Sequence, residues 1–166
     1  MEQPEEPKQF ENGPAPGILP LSPETLSSEK ADRKCVLVID QELPLGVIAN
    51  TAAVLALSLG RQHPEIIGPD LPDREGSSHL GITTLPVPIL KGTKSSLLAL
   101  REKLRVCQSD LTVVDVINAT STTRNYDEYA QVLVTTPTSE LAYHGIALMG
   151  SKKLVNRFTG NLGLLR

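Results

Sequence analysis

The chain has 166 residues, 40% hydrophobic and 21% charged, with a net charge of −3, 3% aromatics and no tryptophan. That length suits one domain, and a core this poor in rings must be built from Val, Leu, Ile and Ala. No apolar run approaches the ~20 residues that span a bilayer, and the near-neutral balance lacks the basic excess of a typical nucleic-acid binder.

Residues 1–33 hold six of the thirteen prolines and seven acids against three bases. Such a stretch cannot bury enough apolar surface to offset its ordering entropy, so it is predicted to be a disordered, acidic, Pro-rich tail. Within it, Gly17-Ile18-Leu19-Pro20-Leu21 is an apolar island that reads as a docking motif or as plain linker. The domain proper is expected over 34–166, where 13 bases and 12 acids nearly cancel. An acidic, Pro-rich N-terminus is neither a secretory signal nor a presequence, so the expected location is cytoplasmic. Cys35 and Cys107 have no C-x-x-C partner and read as buried, reduced thiols.

The first element is Cys35-Val36-Leu37-Val38-Ile39, a continuous β-favouring run of the kind buried on both faces. It ends at Asp40, and a turn follows through Glu42–Gly46. From Val47 to Leu59 the Ala-rich spacing is helical, with Gly60 as the predicted stop. Residues 61–80 read as loop. Ile82 to Leu90 returns to an extended pattern, and Pro86 and Pro88 within it argue for an edge or partly unpaired strand. Thr93 to Val106 is amphipathic, with Leu97, Leu100 and Leu104 inward. Leu111 to Val116 is a strand, Asn118 to Arg124 a polar loop, and Tyr126 to Val134 a short helix. Leu141 to Met149 is a further strand, Gly150 a turn, and Lys152 to Phe158 a last helix closed by Gly160. This alternation predicts a small three-layer α/β domain, a mixed four-stranded sheet with helices on both faces.

Three segments carry a resemblance: KCVLVIDQELPLGVIANTAAV from Lys34 to Val54, GITTLPVPILK from Gly81 to Lys91, and GIALMGSKKLVNRFTGNLGLL from Gly145 to Leu165. In this order they resemble the type-2 peptidyl-tRNA hydrolase fold, and more closely its branch known as domain-of-unknown-function family 2000. The resemblance implies an α/β fold over residues 34–166 and the cleavage of an ester between a peptide and tRNA. It matches Asp115 to the family's acid after the third strand, and Thr120 or Thr122 loosely to the Thr that follows it. The sequence departs where the family keeps lysines: the helix-opening loop here is Pro44-Leu45-Gly46-Val47-Ile48-Ala49-Asn50. The Tyr126–Val134 helix is a second departure.

In such a sheet, ligands bind beyond the carboxyl ends of parallel strands, near helix N-termini. The 43–50 loop, the 115–124 loop and the 81–84 turn with Thr83 are expected to converge there. Gly46 would admit an anion or carbonyl oxygen to the free N–H groups of the helix, or would serve an ordinary turn. Asn50 would offer an amide to a ligand, or bond internally. Asp115 would position a water as general base, or cap a turn. The implied catalytic set is Asp115, Asn50 and Thr120, with Gly46, Thr83, Thr122 and Lys152 binding ligand. The histidines His63, His79 and His144 show no metal-like spacing, so no metal and no cofactor are expected. Hydrolysis of an acyl ester or amide is one reading. The other is a binding module for a small molecule or a protein that has lost the hydrolase lysines. The expected partner is an unidentified ligand near the first helix N-terminus. The lysine-free loop argues against tRNA, no membrane contact is expected, and a homodimer stays open.

Overall fold

The computed structural model describes residues 32–107 and 111–166, Cys107 by its backbone only. The expectations for the tail, for its apolar island and for the Cys107 thiol lie outside the described residues. Among the described residues, no helix is long and apolar enough to cross a membrane.

The central strand is β1, Arg33–Asp40. Every residue from Cys35 to Asp40 is buried, as a strand covered on both faces requires. Its odd positions, Cys35, Leu37 and Ile39, join one apolar cluster, while Val36 and Val38 join another on the opposite face. β6, Tyr143–Ser151, runs antiparallel beside it, pairing Arg33 with Ser151 and Ile39 with Gly145. β4, Ile89–Gly92, runs parallel on its other side, and β5, Leu111–Ile117, lies antiparallel beyond β6. The sheet order is therefore β4-β1-β6-β5, a mixed four-stranded sheet. A separate short hairpin joins β2, Leu71–Pro72, to β3, Ser78–His79, and its turn holds Gly76 at φ 90°.

One face is covered by α1, Leu45–Gln62, through Thr51, Leu55 and Leu59. Its close seat depends on Gly145. A Cβ there would stand 2.9 Å from Thr51 Cγ2 and 3.1 Å from the carbonyl oxygen of Val38. The helix passes through Gly60, the expected stop, and ends at Gln62. Gly60 keeps ordinary backbone angles and a Cβ on it would meet nothing. Pro64 is the cause of the ending, because the residue before a proline is pushed out of the helical region, and His63 sits at φ −132°, ψ 62°. The other face carries α2, Lys94–Leu104, and α4, Lys152–Thr159. Thr93 and Ser96 form a capping box at the start of α2. α3, Tyr126–Thr135, is capped by Asn125, which accepts from the Glu128 N–H. Its Tyr129 and Val132 pack against the core on the α2 side.

Strand boundaries differ from expectation by a residue or two at β1 and β6, and more at the segment from Ile82. The extended pattern from Ile82 enters the main sheet only at Ile89, because Pro86 and Pro88 have no N–H to give a ladder. The carbonyl of Pro88 still accepts from the Leu37 N–H at 3.0 Å. The edge expected at this strand is partly covered: Lys91 N–H donates to the Gly163 carbonyl and Leu165 N–H to that of Ile89, both at 2.9 Å. Gly150 is a strand residue paired with Lys34 and Leu111, and the turn falls to Ser151, whose Oγ accepts from the Leu154 N–H.

Candidate functional site

β1, β4 and β5 run in one direction, so their carboxyl ends, Asp40, Gly92 and Ile117, share one edge of the sheet. α1 begins beyond that edge, and so does the short 3-10 turn Asn118–Ser121 that follows β5. The 43–50 and 115–124 segments thus meet the same edge, whereas the 81–84 segment with Thr83 does not: Thr83 pairs with Ile67 and lies beside Cys35 at the start of β1. Their side chains do not share one cleft. Asp115 alternates with Val114 and Val116, which pack toward α1, so it points to the α2 face. There its Oδ2 accepts from Arg101 Nε at 2.7 Å, with both side chains about one-fifth exposed. Asn50 is exposed on α1, and its amide makes no hydrogen bond among the described residues.

Asp115 and Thr120 do line one cleft of about 410 Å³, at the free side of β5. Val54 and Val116 form an apolar wall, and the rest of the lining includes Thr123, Arg124, Tyr126 and Tyr129. At Val116/Ile117 the ladder to β6 shifts register, Gly145 and then Tyr143 being the partners, so that His144 is the extra residue on the β6 side. The threonine protons are already committed. Thr120 Oγ1 donates to the Ile117 carbonyl at 3.0 Å, and Thr122 and Thr123 donate to that of Ala119 at 3.3 and 2.7 Å. A hydroxyl has one proton, so what remains to the Thr120 and Thr123 oxygens, both in the cleft lining, is to accept. Tyr126 is 81% exposed, and its ring centroid lies 6.0 Å from that of Tyr129. Burial raises the Tyr129 pKa, the Ile117 backbone hydrogen bond opposes the rise, and the nearby Asp115 charge adds to it.

The remaining expected site residues are dispersed. Gly46 is exposed, and a Cβ there would meet nothing within 4 Å, so no close approach depends on it. Its neighbours Leu45 and Ile48 line a separate cleft of about 630 Å³ with Lys91, Leu164 and Arg166. Lys91 is a cation beside the lysine-free loop. It escaped the sequence reading because it arrives from β4, in space rather than along the chain. Thr83 lines an apolar cleft of about 680 Å³ with Cys35, Leu57 and Ile67, and its Oγ1 donates to the Leu85 carbonyl. Lys152 is exposed at the opposite edge of the sheet, where its N–H donates to the Asp32 carbonyl.

The histidines occupy three places. His63 joins Arg33, Glu65 and Thr112, stitching the end of α1 to β1 and β5. Burial would raise the Glu65 carboxyl, but hydrogen bonds from its own backbone, Arg33 and His63 prevail and hold it at about 2. His79 lies 3.3 Å from Asp73 in the exposed hairpin. His144 is 9% exposed, with Nδ1 buried and unpartnered among the described residues. Among the described residues, no three His, Cys, Asp or Glu groups gather as metal ligands would.

Residues 33–166 match the family described as protein of unknown function, DUF2000. The chain belongs to that family. No curated protein matches it. Among solved structures, it is similar to a protein of unknown function from Agrobacterium tumefaciens, with a TM-score of 0.74 and 20% identity. That likeness covers 80% of this chain and 97% of the other. At such identity the shared property is the fold. DUF2000 membership therefore gives the Asp115–Thr120 cleft a family setting and leaves its chemistry to its own residues.

Proposed function

We propose that this DUF2000 domain is a binding module, and that its cleft beside β5 takes a small planar ligand that donates hydrogen bonds. The observation that carries this reading is the state of the cleft's polar groups. Thr120 and Thr123 give their protons to the backbone, and Asp115 gives one oxygen to Arg101. These oxygens offer a ligand acceptors, next to the exposed ring of Tyr126 and the apolar side chains of Val54 and Val116, while Arg124 adds a cation to the same lining. Rings stack on such a face, and N–H groups satisfy such acceptors. Cys35 keeps a buried thiol, which suits the expected reducing, cytoplasmic setting.

Hydrolysis of an acyl ester or amide is the second reading, consistent with the type-2 peptidyl-tRNA hydrolase resemblance. Its support is that Asp115 and Thr120 line one cleft. It needs a donor for the developing oxyanion: the Thr120 proton is directed to Ile117, which leaves that task to Arg124 in the same lining.

One experiment separates them. The protein is titrated with a panel of nucleobases and aromatic amides, and separately incubated with peptidyl-tRNA and aminoacyl esters. Binding that shifts the amides of Thr123 to Tyr129 and is lost in Tyr126→Ala, without turnover, is the expected result. Ester turnover that disappears in Asp115→Asn would replace the binding module with the hydrolase.

A further inference from the structure

α2 and α4 both rest on β1 and β6, on the face carrying Val36 and Val38. On α2, Ser96, Ala99 and Lys103 recur at spacings of three and four and share one side of the helix. Ser96 and Ala99 are short, and a cleft of about 490 Å³ opens beside them. Its far wall is Asn156 and Arg157 of α4 with Asn161 just beyond, and its apolar lining includes Val38, Leu100 and Phe158. Cavities of this size hold small organic molecules.

The charge of this cleft is one-sided. Lys103 and Arg157 are the ionic groups on its walls. Among the described residues, neither has a carboxylate within ion-pair distance. Glu102, next to Lys103, turns to Arg105 at 3.4 Å. A third cation stands at the rim: Lys34 Nζ donates to Asn156 Oδ1 at 2.7 Å. That bond draws the amide oxygen toward Lys34 and leaves the NH2 to donate. The Ser96 hydroxyl is tied up in the capping box with Thr93. Arg157 lies 5.9 Å from the Phe158 ring centroid, an attraction that biases the guanidinium toward the cleft. The side chains lining the space thus bring two cations and two amides to an apolar floor. Like charges facing one cleft repel, and an anion between them reverses the sign of that interaction.

We propose that the α2/α4 cleft binds a small organic anion. Its head, a carboxylate or a phosphate monoester, sits between Lys103 and Arg157, and its apolar body lies on Val38, Leu100 and Phe158. This site is separate from the cleft beside β5, and each stands without the other.

Isotope-labelled full-length protein is titrated with hexyl phosphate, hexanoate, hexanol and inorganic phosphate, and amide shifts are followed. One of the two amphiphilic anions is expected to bind roughly tenfold tighter than either hexanol or inorganic phosphate. The tighter of the pair identifies the head group. Shifts are expected at Lys103, Asn156, Gly160 and Asn161 and not at Thr123 to Tyr129. Lys103→Gln and Arg157→Gln, both at exposed positions, are each expected to weaken binding about fivefold, with the remaining spectrum unchanged. Equal binding of hexanol, unchanged affinity in both variants, or shifts scattered over every lysine-bearing surface would overturn the proposal.

Discussion

Arg101 Nε donates to Asp115 Oδ2 at 2.7 Å, tying the middle of α2 to the outer strand of the sheet. Both partners are mostly withdrawn from water, so the pair is stronger than a surface ion pair and weaker than a fully buried one. Asp115→Ala leaves a half-buried guanidinium without this partner. The expected loss is about 1–2 kcal/mol in urea unfolding. A double-mutant cycle with Arg101→Met should return a positive coupling. Additive losses would show that the contact contributes nothing.

The two glycines of the α1 face should respond in opposite directions. Gly145→Ala places a methyl 2.9 Å from Thr51 Cγ2 and 3.1 Å from the Val38 carbonyl. Backbone cannot yield as a flexible side chain can, so a loss of roughly 1–3 kcal/mol is expected. Gly60→Ala adds a methyl to open space inside a helix. It should stabilise the protein by about 0.5–1 kcal/mol. Thermal unfolding of both variants checks the pair.

Stability should fall as the pH drops below neutrality, through His144. Burial holds its pKa below 6.5, the Asp40 charge from β1 opposes this, and Lys94 of α2 adds to it. The unfolded chain takes up a proton near pH 6.5 while the folded chain stays neutral. The unfolded state therefore binds more protons in that window, and stability rises with pH there. The loss levels off once the folded state is also protonated. His144→Gln should flatten this part of the profile. A slope identical to the parent would assign it to other groups.

The Cys35 thiol is 2% exposed, and burial pushes its pKa up to about 11. The thiolate is the reactive form, so at pH 8 little of it is available. Peptide mapping after iodoacetamide treatment should find Cys35 unmodified in the native protein and fully modified in guanidinium. Rapid native labelling would mean that the cleft lined by Thr83 and Leu57 opens to the thiol.

Much of the architecture is legible in the sequence. The run Cys35–Ile39 marked a strand buried on both faces, and it is the centre of the sheet. The spacing of Leu97, Leu100 and Leu104 marked the buried face of α2. Harder to read was which neighbour decides an ending. Gly60 looked like a stop, but only a left-handed conformation would have made it one, and Pro64 supplied the break. The site was less readable still. Asn50 and Asp115 flank the same edge, yet strand alternation and helix rotation send them to different surfaces. Lys91 and the C-terminal residues beside α1 come together only through pairing across the sheet.

The central position of β1 also bears on how the domain is assembled during synthesis. Its two ladders pair Leu37 with Ile89 on one side and with Ala147 on the other. β1 thus waits for a partner made more than a hundred residues later. Loop closure over such separations slows folding, and an unpaired strand carrying the apolar run Cys35–Ile39 invites association in the interval. Refolding is therefore expected to be slow for a domain of this size and sensitive to protein concentration. A nascent chain halted before Tyr143 is expected to need a chaperone over Cys35–Ile39, because β6 alone can cover that side of β1.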